Sequence, residues 1–134
     1  MILSAEALVS DLQNYEKNHP EIAQKKANLG VMFYTYCTFK GTTEFLEGAT
    51  ELLEDALSSN MKNFGKTHIS VANLQFNLAF VYQDLKRTKE AYTLLKEAYD
   101  TYLTIFGENH PNTIAVKEIL DFIPPSVNTP QNHH

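Results

Sequence analysis

Apolar residues recur in this chain at spacings of three and four, which is the pattern of one buried face on an α-helix. The segment 49–56 shows it clearly, with Ala, Leu, Leu and Ala at its first, fourth, fifth and eighth positions. The same residue types return at the same positions in the segment 91–98, 42 residues later. Alanines between leucines also let a neighbouring helix approach closely. The pattern therefore predicts helices that repeat along the chain and pack against one another.

The connections between helices repeat as well. Residues 64–72, "FGKTHISVA", and 106–115, "FGENHPNTIA", share Phe, Gly and His at a constant distance of 42 residues. A constant interval indicates a structural repeat, because each unit must present the same face to the next. Gly65 and Gly107 are predicted to close a helix in the left-handed conformation that glycine adopts most cheaply. Pro20 and Pro111 are predicted to open the next helix at its first turn.

Upstream of residue 42 the interval changes from 42 to 49 residues, with His19, Asn28 and Leu29 matching His68, Asn77 and Leu78. The first unit thus carries seven extra residues between its two helices. Seven residues are about two helical turns, so we expect one extra turn on each helix of this hairpin. The alternative is a longer loop around Gly41.

These intervals divide the chain into units of a helix A, a turn, a helix B and a linker. An N-terminal segment aligns on helix B alone, and a C-terminal one on helix A alone, ended by Pro124 and Pro125. The predicted helices are 3–17, 20–40, 43–62, 69–86, 88–105 and 111–123. The predicted single domain, 1–123, comprises a half repeat 1–18, a repeat 19–67 with the seven-residue extension, a repeat 68–109 and a capping helix 110–123. The tail 124–134 lacks apolar periodicity and is predicted to be disordered.

Composition narrows the classes of partner and compartment. The net charge of −5 in 134 residues argues against a nucleic-acid partner, which requires clustered Lys and Arg. Apolar runs are short and interrupted, so no membrane contact is expected. The single cysteine, Cys37, cannot form an internal disulfide, which suits a reducing cytoplasm. We therefore expect a soluble cytoplasmic protein.

The segments "NLAFVY" at 77–82 and "EAYTLLKEAY" at 90–99 resemble the tetratricopeptide repeat. The first has a leucine, a small residue and an aromatic residue in order, and the second has alanines on both sides of large apolar residues. The 42-residue interval and the Phe-Gly-x-x-His linker are similar to the kinesin light chain type of this repeat. The resemblance implies an all-α fold, a right-handed α-solenoid of about six helices. Gln75 departs from the aromatic residue of many members, and Lys86 from the glycine that often precedes helix B.

Catalytic chemistry is poorly supported by the residues. His19, His68 and His110 lie one per linker, a repeat apart, so we expect them to bond helix ends and not a metal. Cys37 has no predictable histidine partner, and packing is the expected role. The carboxylates of the segment 51–55 are expected to form a solvated face. The sequence predicts no enzyme, no metal site and no cofactor.

The remaining candidate is a surface. In the resembled family the A helices line a concave groove, and the resemblance implies which side chains point into it. The alternative is that the asparagines bond the neighbouring turn and that the phenylalanines belong partly to the core. The groove residues predicted to contact a peptide are Gln24, Asn28, Val31, Tyr34, Asn73, Phe76, Asn77, Phe80, Gln83 and Asp84.

This groove predicts a module that binds a peptide or protein segment, because Asn can donate to and accept from a peptide backbone. Basic residues are scarce in it, so neither a clamp for a terminal carboxylate nor acidic cargo binding is expected. The alternative function is a structural or self-associating scaffold segment. A homodimer would then form through apolar residues of the terminal half repeats: Ile2, Leu3 and Leu8 at one end, and Ile114, Ile119 and Phe122 at the other.

Overall fold

The computed structural model describes residues 19–123, and this part of the chain contains helices joined by short turns and no strand. The predicted helix 3–17, the N-terminal docking residues Ile2, Leu3 and Leu8, and the tail 124–134 lie outside the described residues. The helices are α1 (Pro20–Lys40), α2 (Leu46–Phe64), α3 (Ile69–Asp84), α4 (Thr88–Phe106) and α5 (Pro111–Phe122).

The five helices pack in consecutive pairs. α1 lies against α2 and α3 against α4, while α3 also packs on α2 and α5 on α4. The repeated alanines of α2 and α4 have no exposed surface, and Leu53 and Leu95 beside them are 1% exposed. The all-α solenoid architecture is therefore confirmed, with the predicted alanine–leucine face at its core.

Gly30 lets the first two helices approach closely. A β-carbon at this position would lie 2.9 Å from Cγ of Leu53 on α2. The equivalent residue of the second hairpin is Ala79, which is 1% exposed. The contact between α3 and α4 therefore accommodates a methyl group where the contact between α1 and α2 has only a hydrogen atom. Small residues at this crossing thus set the distance between helix A and helix B in both units.

The prediction of one extra turn on each helix of the first hairpin is wrong. α1 has 21 residues against 16 in α3, whereas α2 and α4 both have 19. The connection 41–45 is also two residues longer than 85–87. The helix ends where Gly41 adopts left-handed angles, φ 68° and ψ 32°, and the Thr42 hydroxyl then accepts from the Glu44 N–H. The extension therefore belongs to α1 and to the turn after it.

The repeated linker glycines differ from the predicted left-handed cap. Gly65 has φ 89° and ψ 170°, and Gly107 has φ 88° and ψ 172°. The positive φ is as expected, but ψ is extended, because the chain must turn directly toward the next helix instead of closing another helical ring. This region is accessible almost only to glycine, so the requirement for glycine is stricter than predicted.

Lys86 occupies a backbone conformation that favours glycine. Its φ is 65°, the one positive φ among non-glycine residues of the described range. This is the position at which the sequence departs from the glycine of the resembled repeat type. A side chain in the left-handed region costs about 1–2 kcal/mol, because Cβ crowds the backbone.

We expect Lys86→Gly to raise the free energy of unfolding by about 1 kcal/mol, after the larger chain entropy of glycine in the unfolded state is subtracted. Urea denaturation followed by circular dichroism measures this change. Lys86→Ala is the matched control, since it removes the same charge and retains Cβ. Equal effects of the two substitutions would show that backbone strain at residue 86 is not the cause.

Candidate functional site

The linker histidines cap the A helices. Nδ1 of His19, His68 and His110 accepts a hydrogen bond from the backbone N–H two residues on, at 3.1 Å in each case. The rings of His68 and His110 also stack on Phe64 and Phe106, with centroids 4.5 and 3.9 Å apart. The predicted structural use of these histidines is confirmed. The repeated phenylalanine stacks on the ring of the capping histidine and so helps to fix its orientation.

No group of three metal-ligating side chains occurs within residues 19–123. Cys37 is 3% exposed and lies in the hydrophobic core cluster. Its expected role in packing is therefore confirmed.

The predicted solvated face of acidic residues on α2 is only partly correct. Glu54 accepts a hydrogen bond from the Tyr82 hydroxyl and lies 3.7 Å from the Arg87 guanidinium, which stacks over the Tyr82 ring. Asp55 pairs with Lys26 at 3.3 Å. Burial and the hydrogen bond to Glu54 raise the pKa of Tyr82, so its hydroxyl remains a donor. The Glu54 contacts hold the second hairpin against the first, whereas the Lys26–Asp55 pair joins α1 to α2 within the first hairpin. Glu51 and Asp55 are exposed and Glu54 is half-buried, so the solvated face lacks only Glu54.

The structure brings half of the predicted groove residues to one pocket. A depression of about 150 Å³ lies between α1 and α3. No Lys, Arg, Asp or Glu is among the described residues that line it. We call it the asparagine pocket; the predicted residues that line it are Gln24, Asn28, Val31, Asn73 and Asn77.

Hydrogen bonds fix two of the pocket carboxamides. The Gln24 amide donates to Oδ1 of Asn28 at 2.9 Å, and the Tyr102 hydroxyl donates to Oδ1 of Asn73 at 2.6 Å. Burial raises the pKa of Tyr102 to about 12, so it remains a donor at neutral pH. Asn77 makes no side-chain hydrogen bond within residues 19–123 and is exposed. The pocket thus contains two oriented side-chain amides, those of Asn28 and Asn73, and the Asn77 amide, which has no hydrogen bond to residues 19–123 and can bond to a ligand.

The other five predicted groove residues lie outside the lining of this pocket. Phe76 and Phe80 contact each other with ring centroids 5.1 Å apart, and Phe76 also packs on the core. The alternative of a partly core phenylalanine therefore holds for Phe76. Burial and then the neighbouring Asp84 carboxylate raise the pKa of Tyr34. Gln83 is half-buried.

Sequence reasoning missed Asn60 and Ser70, which also line the pocket. Asn60 lies on α2, a B helix, and is 8% exposed, whereas the predicted groove is formed by the A helices alone. A signal was present, because residue 60 matches Tyr102 at the 42-residue interval. Both place a polar group on the otherwise apolar face of a B helix, and Tyr102 supports Asn73 in the second unit.

The tetratricopeptide repeat family profile matches residues 70–118. Clustered mitochondria protein homologues are similar over most of the chain. The homologues of Aspergillus fumigatus and Emericella nidulans are 29% identical over 112 residues, or 84% of this chain, and that of Xenopus tropicalis is 28% identical over 109 residues, or 81%. The chain spans only 8–9% of the length of these relatives.

The family match over residues 70–118 and the paired helices agree with tetratricopeptide-type repeats in this part of the chain. Repeats of this kind indicate a protein-interaction module and are typical of non-catalytic scaffolds. Among residues 19–123, no helix has the length and apolar character needed to cross a bilayer.

Proposed function

We propose that this chain is a non-catalytic module that binds an extended peptide or protein segment along its A helices, with the asparagine pocket as the anchoring point. The observation that carries the proposal is the convergence of Asn28, Asn73 and Asn77 on one depression between α1 and α3. A carboxamide can donate to a peptide carbonyl and accept from a peptide N–H, so such a pocket recognises main chain in any sequence.

Pre-orientation supports this assignment. Two of the carboxamide oxygens are held by Gln24 and Tyr102, so their donor groups need little reordering when a ligand arrives. The half-buried Phe80 on α3 and the exposed Val31 on α1 provide apolar surface for ligand side chains. The described residues that line the pocket include no Lys or Arg, so the proposed ligand does not depend on a terminal carboxylate for its anchoring.

We further propose that the repeats are of the kinesin light chain-like type and that the module acts in the cytoplasm. The 42-residue interval and the Phe–His contact in both complete linkers support the first point. Similarity to part of the clustered mitochondria protein homologues is compatible with the second.

Asn77→Ala should weaken binding of a peptide at least ten-fold while leaving the thermal midpoint unchanged, because Asn77 has no side-chain hydrogen bond within residues 19–123. A library of random twelve-residue peptides displayed on phage supplies the ligand. The dissociation constant of the best binder is then measured by calorimetry for the wild-type chain and the variant.

Asn109→Ala is the matched control, since Asn109 is an exposed asparagine in a linker. It should leave both affinity and stability unchanged. Retained affinity in Asn77→Ala would contradict the proposed anchoring point, and a large fall in its thermal midpoint would assign Asn77 to the fold instead.

A second candidate function is self-association, and one surface of α1 favours it. Met32 is 64% exposed, Tyr36 46% and Leu29 37%. In α3, Leu78 occupies the position of Leu29 and Val81 that of Met32, and both are at most 1% exposed because α3 packs against the preceding hairpin. α1 therefore presents the kind of face on which another repeat stacks. Ile114 and Phe122 of α5 are also exposed, as a docking role at that end requires.

Light scattering across a range of concentrations tests this candidate. Self-association through α1 predicts a mass that rises toward twice that of the chain and falls again in Met32→Lys, because a charge in the buried contact is costly. Surface-exposed Met32 should tolerate the substitution without loss of thermal stability. A concentration-independent monomer would exclude this candidate and leave the peptide-binding module.

A further inference from the structure

A second depression, of about 460 Å³, lies on the opposite side of α3 from the asparagine pocket. Leu57 and Met61 of α2, Leu78 and Tyr82 of α3, and Leu94 of α4 form its walls. We call it the apolar cleft. Its three helices come from both hairpins, so its shape depends on how the second unit stacks on the first.

The two depressions are independent surfaces. Successive residues of a helix are turned by about 100°, so Leu78 and Tyr82 lie about 100–180° around α3 from Asn73 and Asn77. The asparagine pocket is bounded mainly by helices A, whereas the apolar cleft opens between the B helices α2 and α4. A ligand of one depression leaves the other accessible.

The rim of the apolar cleft carries uncompensated positive charge. Lys62 and Lys66 are both exposed and form no ion pair with a carboxylate of residues 19–123. Glu54, the acidic residue on the rim, already accepts from Tyr82 and neighbours Arg87. A ligand therefore meets two ammonium groups next to an apolar wall.

We propose that the apolar cleft binds a peptide segment of a partner protein in which bulky apolar side chains are flanked by carboxylates. The apolar residues would cover Leu57, Met61 and Leu94, and the carboxylates would pair with Lys62 and Lys66. The volume exceeds that of one large side chain, so part of the peptide backbone is also accommodated. The cleft is open to solvent, and a bare acyl chain in it would keep much of its surface in water.

A blocked peptide of sequence EELFEE is the probe, with KKLFKK and EESSEE as counterparts that reverse the charge or delete the apolar pair. Methyl NMR spectra of the whole chain report where each peptide contacts the protein. We expect saturable shifts of the Leu57, Met61 and Leu94 methyl groups with EELFEE, and at least ten-fold weaker binding of each counterpart.

Two substitutions with matched controls separate the apolar and charged contributions. Met61→Gln should weaken EELFEE binding about ten-fold, and Met32→Gln, at an exposed methionine outside the cleft, should not. Lys66→Glu should weaken it about five-fold, whereas Lys89→Glu, an exposed lysine of α4 outside the cleft, should have less than a two-fold effect. Lys66 lies in an exposed linker, so its variant remains informative even if Met61→Gln alters the fold.

Several results would overturn this proposal. Equal binding of KKLFKK, or shifts confined to the methyl groups of Val31 and Leu74 in the asparagine pocket, would show that the cleft does not select an acidic apolar segment. Saturable binding of dodecanoate without binding of EELFEE would assign the cleft to a lipid instead. The test is separate from that of the asparagine pocket, because Asn77→Ala should bind EELFEE with unchanged affinity.

Discussion

The hydrogen bond from the start of each A helix to a linker histidine is the contact on which the rest of the arrangement depends. Nδ1 of His68 and His110 accepts a hydrogen bond from the backbone N–H of the second residue of the helix, and a phenylalanine from the end of the preceding helix stacks on the ring. One side chain thereby joins the last turn of helix B to the first turn of the next helix A. Gly65 and Gly107, which lie between the phenylalanine and the histidine, adopt a positive φ that connects helix B to the next helix A through a short linker.

Repetition of this linker determines which side chains share a face. Because α1 and α3 begin at equivalent histidine caps, Asn28 and Asn77 lie at the same height on their helices and meet across the asparagine pocket. On the other side of α3, the same stacking places Leu78 and Tyr82 between α2 and α4 and forms the apolar cleft. Both candidate surfaces thus result from the geometry between units and not from any one helix.

Much of this arrangement could be predicted from the sequence, since it depends on local rules. The alanine–leucine spacing gave the buried faces, and the proline and histidine positions gave the starts of α1 and α5. The division of the seven extra residues could not be predicted, because helix and turn compete at Gly41 by small energies that tertiary contacts decide. Asn60 was missed for a related reason: its place in the asparagine pocket depends on how far α2 is buried beneath the A helices.

The tautomers of the linker histidines show whether these residues cap the A helices. A ring nitrogen that accepts a backbone hydrogen bond carries no proton, so the ring proton of His68 and of His110 should be on Nε2. Long-range proton–nitrogen NMR correlations distinguish the two ring nitrogens. We expect an unprotonated Nδ1 at both residues in the folded chain. A proton on Nδ1 at either residue would show that the histidine does not cap the helix and that another contact sets the repeat.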